Sequence, residues 1–333
     1  MVQMTGVIVL AIGLPPLFAS IEAGGVLDNR VMVAGYVIIR LALVLQWIRA
    51  ARGNPQYKPL ALTYGLFVGV AQAGWVLIAL FPVSAAAGLA AAVVLFAVEA
   101  LGPIVAERKT THLSGGSTPW HPHHLAERFA LLTIIALGET VFGTLASSAQ
   151  ISHVQGWTVD AIVVIGVGIT MSFGLWWTYF LLPHAAVLAA RRDKAIPWAY
   201  GHILLFAAIA AVGAGLHVIG YGYDPEYDID DSTVAASIAI PVIIFMIARY
   251  LLLAWLLSAL PRDTGIQLTA TAFPALAIIL AAAGVPLWVS LLAVLAAPLS
   301  VILSFEVGGW RALDAQLARV ISRPGRRDQG VPD

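Results

Sequence analysis

The stretch HHLAERFALLTIIALGETVFG, His123 to Gly143, is apolar enough to lie in lipid. Yet it carries Glu127 and Arg128 near its start and Glu139 well inside. An ionised side chain within a bilayer costs roughly 2.5–3.5 kcal/mol on insertion scales, so it is expected to face a bundle interior, to pair, or to meet water. Arg128 and Glu139 stand eleven residues apart. At about 100° per residue they share one helix face, about 16 Å apart along the axis. They cannot bond each other, but they suit one side of a shared polar path. Glu127 points about 120° away from Glu139 and is a local partner for His124 or for the helix N-terminus, where a carboxylate is favoured. Gly138 beside Glu139, with Gly143 nearby, lets another helix or a water file approach closely.

Glu139 has two readings. In one, it pairs with Arg40 or Arg249 and fixes helix packing. In the other, it is a protonatable site: desolvation raises a carboxylate pKa and a nearby Arg lowers it, so motion that changes the pairing takes up or releases a proton. Arg40 and Arg249 fall near mid-span in other apolar segments. They are either packing partners or anchors for an anionic group, for which a guanidinium fork is suited. Glu99 and His202 complete the candidates for coupling or a substrate path; His202, His217 and Glu22 lie nearer span ends, and Glu306 towards the cytoplasmic interface.

Weaker patterns accompany these. His121, His123 and His124, with Glu107 and His112 nearby, are types that hold zinc or another transition metal, but no second cluster supports a metal site and none is assigned. Trp176, Trp177 and Tyr179 in GLWWTYF read as an interfacial belt or helix packing. Pro15, Pro16, Pro241 and Pro298 fall within spans, where proline removes a backbone hydrogen bond and kinks the helix. GGS at 115–117 is a loop without a phosphate-binding fingerprint. No nucleophile–base motif and no Asp-rich diphosphate motif is present, so no catalytic residue and no cofactor is assigned.

The elements that must position these residues follow from composition. The chain has 333 residues, 60% hydrophobic and 11% charged, against roughly a quarter charged in a soluble domain. Apolar runs of about 20 residues recur along its length, long enough to cross a bilayer as helices. The fold class is all-α: a polytopic helical membrane protein. Ten spans are predicted, at 4–22, 31–51, 60–81, 85–105, 125–148, 159–182, 197–220, 233–258, 266–284 and 286–305. The N-terminus lacks a basic region before its apolar run and reads as a first membrane helix rather than a signal peptide. With no cysteine, thiol chemistry is excluded, and a formal net charge of zero offers nothing to nucleic acid.

Loop charge then gives an orientation. Arg49, Arg52, Lys58, Arg108, Lys109, Arg191, Arg192, Lys194, Arg262, Arg311, Arg319, Arg323, Arg326 and Arg327 all fall on one side. The opposite loops hold only Arg30. Positive residues stay cytoplasmic, so both termini are expected to face the cytoplasm. The outer loop YGYDPEYDIDD is acidic, lacks the spacing of an EF-hand and reads as a solvated loop. The Arg-rich tail, 307–333, is expected to meet anionic headgroups and to be disordered at its end.

The segment YVIIRLALVLQW (36–47) resembles FMIARYLLLAWL (245–256), aligning Arg40 with Arg249. AAVVLFAVEALG (91–102) resembles APLSVILSFEVG (297–308), roughly aligning Glu99 with Glu306. A parallel internal repeat is expected within one transmembrane domain, 1–306. Its incomplete first half is 1–106 and its second 125–306, with the four-span units 1–106 and 197–306 corresponding.

HLAERFALLTIIALGETV (124–141) also resembles the signature of the low temperature requirement A family, through His124, Glu127, Arg128, Phe129, Gly138 and Glu139. WWTYF (176–180), YGH (200–202) and GYVIIRLALVLQWIRAAR (35–52) resemble further segments of that family. Its usual opening helices, one marked E-L-F-F-D and the next rich in Trp, have no counterpart here, which agrees with the gap the repeat leaves. The resemblance implies a membrane protein named for a growth phenotype in the cold, without a settled activity. On the residues, the leading expectation is an ion-coupled secondary transporter of an unnamed small molecule or ion in the lipid bilayer. The alternatives are an intramembrane enzyme acting on a lipid or isoprenoid, and a non-transporting protein that supports low-temperature growth.

Overall fold

The computed structural model describes residues 1–110, 118, 120–261 and 263–322. It is 87% helical, with no strand among the described residues. Ten helical stretches are long and apolar enough to cross a membrane, at the ten places the sequence predicts. The chain groups into two compact units, Met1–Pro119 and Trp120–Asp333.

The first unit holds α1 (Val2–Ile12), α2 (Leu14–Glu22), α3 (Arg30–Gly53), α4 (Lys58–Leu80) and α5 (Ala85–Thr110). α1 packs on α3, α3 on α4 and α4 on α5, so neighbours in sequence are neighbours in space. Few of their apolar side chains are buried, and about half are exposed, such as Leu45, Leu66, Leu89 and Val93. In water that would be untenable; in lipid it is the expected outside of a membrane helix, since hydrocarbon solvates those faces.

The second unit holds α6 (Pro122–Gln155), α7 (Val159–Phe180), α8 (His184–Ala190), α9 (Ala195–Gly222), α10 (Asp231–Leu257), α11 (Thr264–Ala282), α12 (Leu287–Ser304) and α13 (Trp310–Ile321). Its long helices close a ring: α6 packs on α9, α9 on α10, α10 on α11, α11 on α12, α12 on α7, and α7 on α6. The ring buries Met171, Leu175, Ile209, Leu216, Ile238 and Phe245. The α6–α9 crossing is close: a Cβ on Gly143 would lie 2.1 Å from the Gly213 carbonyl oxygen. Gly213 in turn lies against the backbone of Glu139.

Helix ends in this unit are held by specific partners. Asp230 caps α10, its carboxylate accepting from the Thr233 amide at 3.0 Å, and these hydrogen bonds hold its carboxyl below the usual range. At the other end the Lys194 ammonium donates to the Trp255 carbonyl and to Ser258 Oγ, where a cation meets the negative end of the helix dipole. The acidic 221–232 loop is not wholly solvated as expected. Asp224 is buried and accepts from Gln150 Nε2 of α6 at 2.5 Å, because an otherwise orphaned amide at the end of α6 needs an acceptor. Beyond α12 a π-helical turn, Phe305–Gly309, bends the chain into α13, with Gly308 at φ 145°, a value a side chain would resist.

Candidate functional site

Arg249 is a half-buried cation within α10 of the second unit. It lies eight residues before the end of α10, about 12 Å inside the helix terminus. Its Nη2 donates to Gln267 Oε1 at 2.7 Å, and Gln267 Nε2 donates onward to the Met246 carbonyl at 3.0 Å. Both ends of the Gln267 amide are thereby used, which fixes the guanidinium plane. Arg249 Nε is shielded from solvent and has no acceptor. No carboxylate among the described residues pairs with this cation within 4 Å.

Two spaces meet at Arg249. One is a cavity of about 250 Å³ at the end of the unit where α7 finishes, α11 begins and α12 bends into α13. Leu181, Leu253, Ile266, Val301 and Leu313 give it mainly apolar walls. Asp263 also lines it, beyond ion-pair distance from Arg249. The other space is a narrow gap on the far side, bordered by Arg249, Thr178, Tyr179 and His184.

The polar groups behind the gap have their protons assigned by their partners. Trp198 Nε1 can only donate, and it reaches His184 Nδ1 at 3.1 Å. His184 therefore accepts at Nδ1, and its neutral ring carries the proton on Nε2. That atom is shielded from solvent, and the Tyr179 backbone is its neighbouring acceptor. His202 Nδ1 meets the Trp198 carbonyl at 2.8 Å and so donates; its Nε2 then accepts the Tyr179 hydroxyl proton at 2.9 Å. Thr178 is spent on the Gly174 carbonyl. The gap itself is narrow, about 10 Å³, and Arg249 Nε–H is shielded from solvent without a hydrogen-bond partner among the described residues.

A family profile described as bacterial low temperature requirement A protein (LtrA) matches residues 1–298. The chain belongs to the LtrA family. No curated protein and no solved structure matches it.

In this LtrA chain the signature helix α6 divides its residues between two tasks. Phe129 turns inward, its ring 4.8 Å from that of His202 and 4.7 Å from that of Trp198. His202 is fully buried in this aromatic nest rather than near a solvent-facing span end. Glu127, Arg128 and Glu139 are exposed. His124 lies 3.7 Å from Glu127, the local pairing expected of them. Neither Arg128 nor Glu139 borders the two spaces at Arg249, and neither has an ion-pair partner among the described residues. Gly138 meets nothing within 4 Å of an added Cβ, so the close helix approach belongs to Gly143 alone.

Arg40 and Glu99 come together within the first unit, as an ion pair of 2.7 Å between α3 and α5. The Tyr36 hydroxyl donates to Glu99 at 2.5 Å and accepts from Arg40 Nη2 at 2.9 Å, which makes a closed triad. The corresponding pair does not form in the second unit, because Glu306 falls in the exposed π-helical turn and Arg249 takes Gln267 instead. Glu139 pairs with neither arginine.

Among the described residues no three metal-ligating side chains converge. Glu107 is engaged by the Tyr64 and Thr118 hydroxyls, and His112 lies outside the described residues. Trp176 and Trp177 are exposed, as an interfacial belt requires, whereas Tyr179 of the same segment is buried.

Sequence reasoning did not single out His184, Gln267, Asp263 or Tyr36. For His184 there was one usable signal, a histidine directly after Pro183 at the end of an apolar span. Gln267 carried none, being one uncharged polar residue near the start of a span.

Proposed function

We propose that this LtrA protein is an ion-coupled secondary transporter of the bacterial cytoplasmic membrane, with both termini in the cytoplasm and a cargo path that enters the second unit beside Arg249. The observation that carries the reading is the cavity running from the Lys/Arg-rich end of the ring to a guanidinium about 12 Å inside α10. A cation at that depth is costly unless it pairs or works, and intramembrane ionisable residues that meet a cavity mark solute or ion paths. The loop charges support the orientation, since the chain runs from the cavity wall at Leu182 through α8 to Arg191, Arg192 and Lys194. The charge alignment of Arg40 with Arg249 supports descent from a parallel repeat, with the first copy closed by Glu99 and the second open.

Glu139 is the coupling carboxylate in this reading. It has no ion-pair partner among the described residues and stands where Gly213 of α9 packs against its backbone, so a shift at the α6–α9 crossing would change its surroundings. The test is reconstitution into proteoliposomes on a solid-supported membrane, with currents recorded on concentration jumps of a metabolite panel. Wild-type protein should give cargo-dependent currents that a pH gradient modulates, and Glu139→Gln should keep binding but lose the pH dependence. A folded, reconstituted protein that passes nothing across the panel would overturn the reading.

A further inference from the structure

Arg249 and Asp263 line one cavity, the space of about 250 Å³ at the end of the second unit. They carry opposite charges, yet they stand beyond 4 Å and do not pair. α11 sets that spacing. Asp263 precedes its first turn, and the Gln267 backbone N–H donates to the Asp263 carbonyl at 3.0 Å. The two residues are therefore one turn apart on one face, roughly 6 Å along the axis. Gln267 holds Arg249 Nη2, so the guanidinium is pinned about a turn away from Asp263. Among the described residues Arg249 Nη1 has no hydrogen-bond partner, and the Asp263 side chain has neither a capping bond nor an ion pair. A charge beside an apolar wall is unfavourable without a counter-charge. A cation and an anion that cannot reach each other are both answered by one ligand that carries both charges.

We infer that this cavity takes a small zwitterion: an α-amino acid whose carboxylate meets Arg249, whose ammonium meets Asp263, and whose apolar side chain lies against Leu253, Val301 and Leu313. The inference names the cargo class of the path described above, and it rests on that reading only for the ligand being cargo. Spacing selects the α-amino acid. Its nitrogen and carboxyl carbon are about 2.5 Å apart. With a charge-assisted hydrogen bond of about 2.8 Å at either end, it spans one helical turn. A ligand with its charges six bonds apart, such as 6-aminohexanoate, overshoots that gap. Volume and lining set the side chain, since about 250 Å³ with mainly apolar walls suits a few carbons or one ring. A ligand with one charge is disfavoured, because a lone carboxylate is repelled by Asp263 and a lone ammonium by Arg249.

The assay is thermal unfolding of the purified full chain in detergent at constant ionic strength. The probes are leucine, valine, phenylalanine, 4-methylpentanoate, 3-methylbutylamine, 6-aminohexanoate and glycerophosphoethanolamine. At ten times its Kd, at least one of the three amino acids should raise the apparent Tm by roughly 2–4 °C. 4-Methylpentanoate and 3-methylbutylamine are leucine without one charged group each, and each should bind roughly tenfold or more weakly than leucine, as should 6-aminohexanoate. Asp263→Asn should weaken the amino acid roughly tenfold and strengthen 4-methylpentanoate, because the ammonium loses its partner and the lone carboxylate is no longer repelled. Arg249→Gln should weaken the amino acid by a similar factor. If that variant does not fold, Asp263→Asn decides, since the Asp263 side chain makes no capping bond. No shift with any of the three amino acids, equal binding of 4-methylpentanoate, or unchanged amino-acid binding in Asp263→Asn would each overturn the inference. A shift with glycerophosphoethanolamine alone would assign the two charges to a lipid headgroup and overturn it as well. Binding without flux in proteoliposomes would leave this site standing and remove the transport reading. Flux of another solute without amino-acid binding would do the reverse.

Discussion

At the scale of single residues, the two intramembrane arginines are kept in opposite ways. Arg40 has its charge answered by Glu99 at 2.7 Å, with Tyr36 bridging both. Arg249 is given an amide, which fixes its geometry and leaves its charge unanswered. The difference is testable by double substitution. Glu99→Gln leaves a partly buried guanidinium without its counter-ion and should destabilise the folded protein by about 3 kcal/mol. Arg40→Met should cost a similar amount, whereas the double variant should cost clearly less than the sum, as unfolding in a denaturant series would report. Strict additivity would mean that the ion pair contributes nothing. Gln267→Leu is expected to behave differently from either, since it frees the Arg249 side chain to move without removing its charge.

Elements decide whether those residues meet. α6 carries the family signature, and its packing is governed by the glycine contact with α9. A Cβ on Gly143 would lie 2.1 Å from a backbone oxygen that cannot swing aside as a side-chain tip could. Gly143→Ala should therefore force the two helices apart and destabilise the protein by roughly 1–3 kcal/mol, the usual range for overpacking. Gly138→Ala, where nothing is met within 4 Å, should be near neutral. Equal melting temperatures for the two variants would contradict this account of the crossing. α10 is the other decisive element. Asp230 fixes its beginning and Lys194 its end, and between them the helix sets the depth of Arg249.

For the whole molecule, orientation is the prediction with the simplest readout. The chain contains no cysteine, so single cysteines report without background. Asp228→Cys sits in the exposed acidic loop and should react with an impermeant maleimide in intact spheroplasts. Gly53→Cys, at the exposed, Arg-rich end of α3, should react only after permeabilisation. The reverse pattern would invert the topology and place the Arg249 cavity on the outer face. The two units also differ in how they use the membrane. The ring in the second unit encloses its own core, while the layered helices of the first bury few of their apolar side chains.

Much of this architecture is written in local composition. Ten apolar stretches, the bias of Lys and Arg between alternate loops and the helix signature at 124–141 are each read within some twenty residues. The bilayer makes that reading reliable, since only a helix satisfies its own backbone there. The same one-dimensional reading identified Arg40, Glu99, His202 and Arg249 as residues that lipid would not tolerate without a reason. It could not say what the reason was in each case. Whether Arg40 meets Glu99 or Glu139 depends on which helices adjoin, and that is set by side-chain packing between segments distant in sequence. The ring closure that joins α7 to α12, and so brings His184 and Arg249 to one gap, has no local signal at all. Nor does proton placement: the N–H of His184 is assigned to Nε2 only once Trp198 is seen to donate to its other nitrogen. Sequence decided that the chain lives in a membrane and which charges are out of place there. Tertiary structure alone decided which of those charges is closed off by a partner and which faces a cavity, because hydrogen-bond satisfaction is a property of neighbours in space.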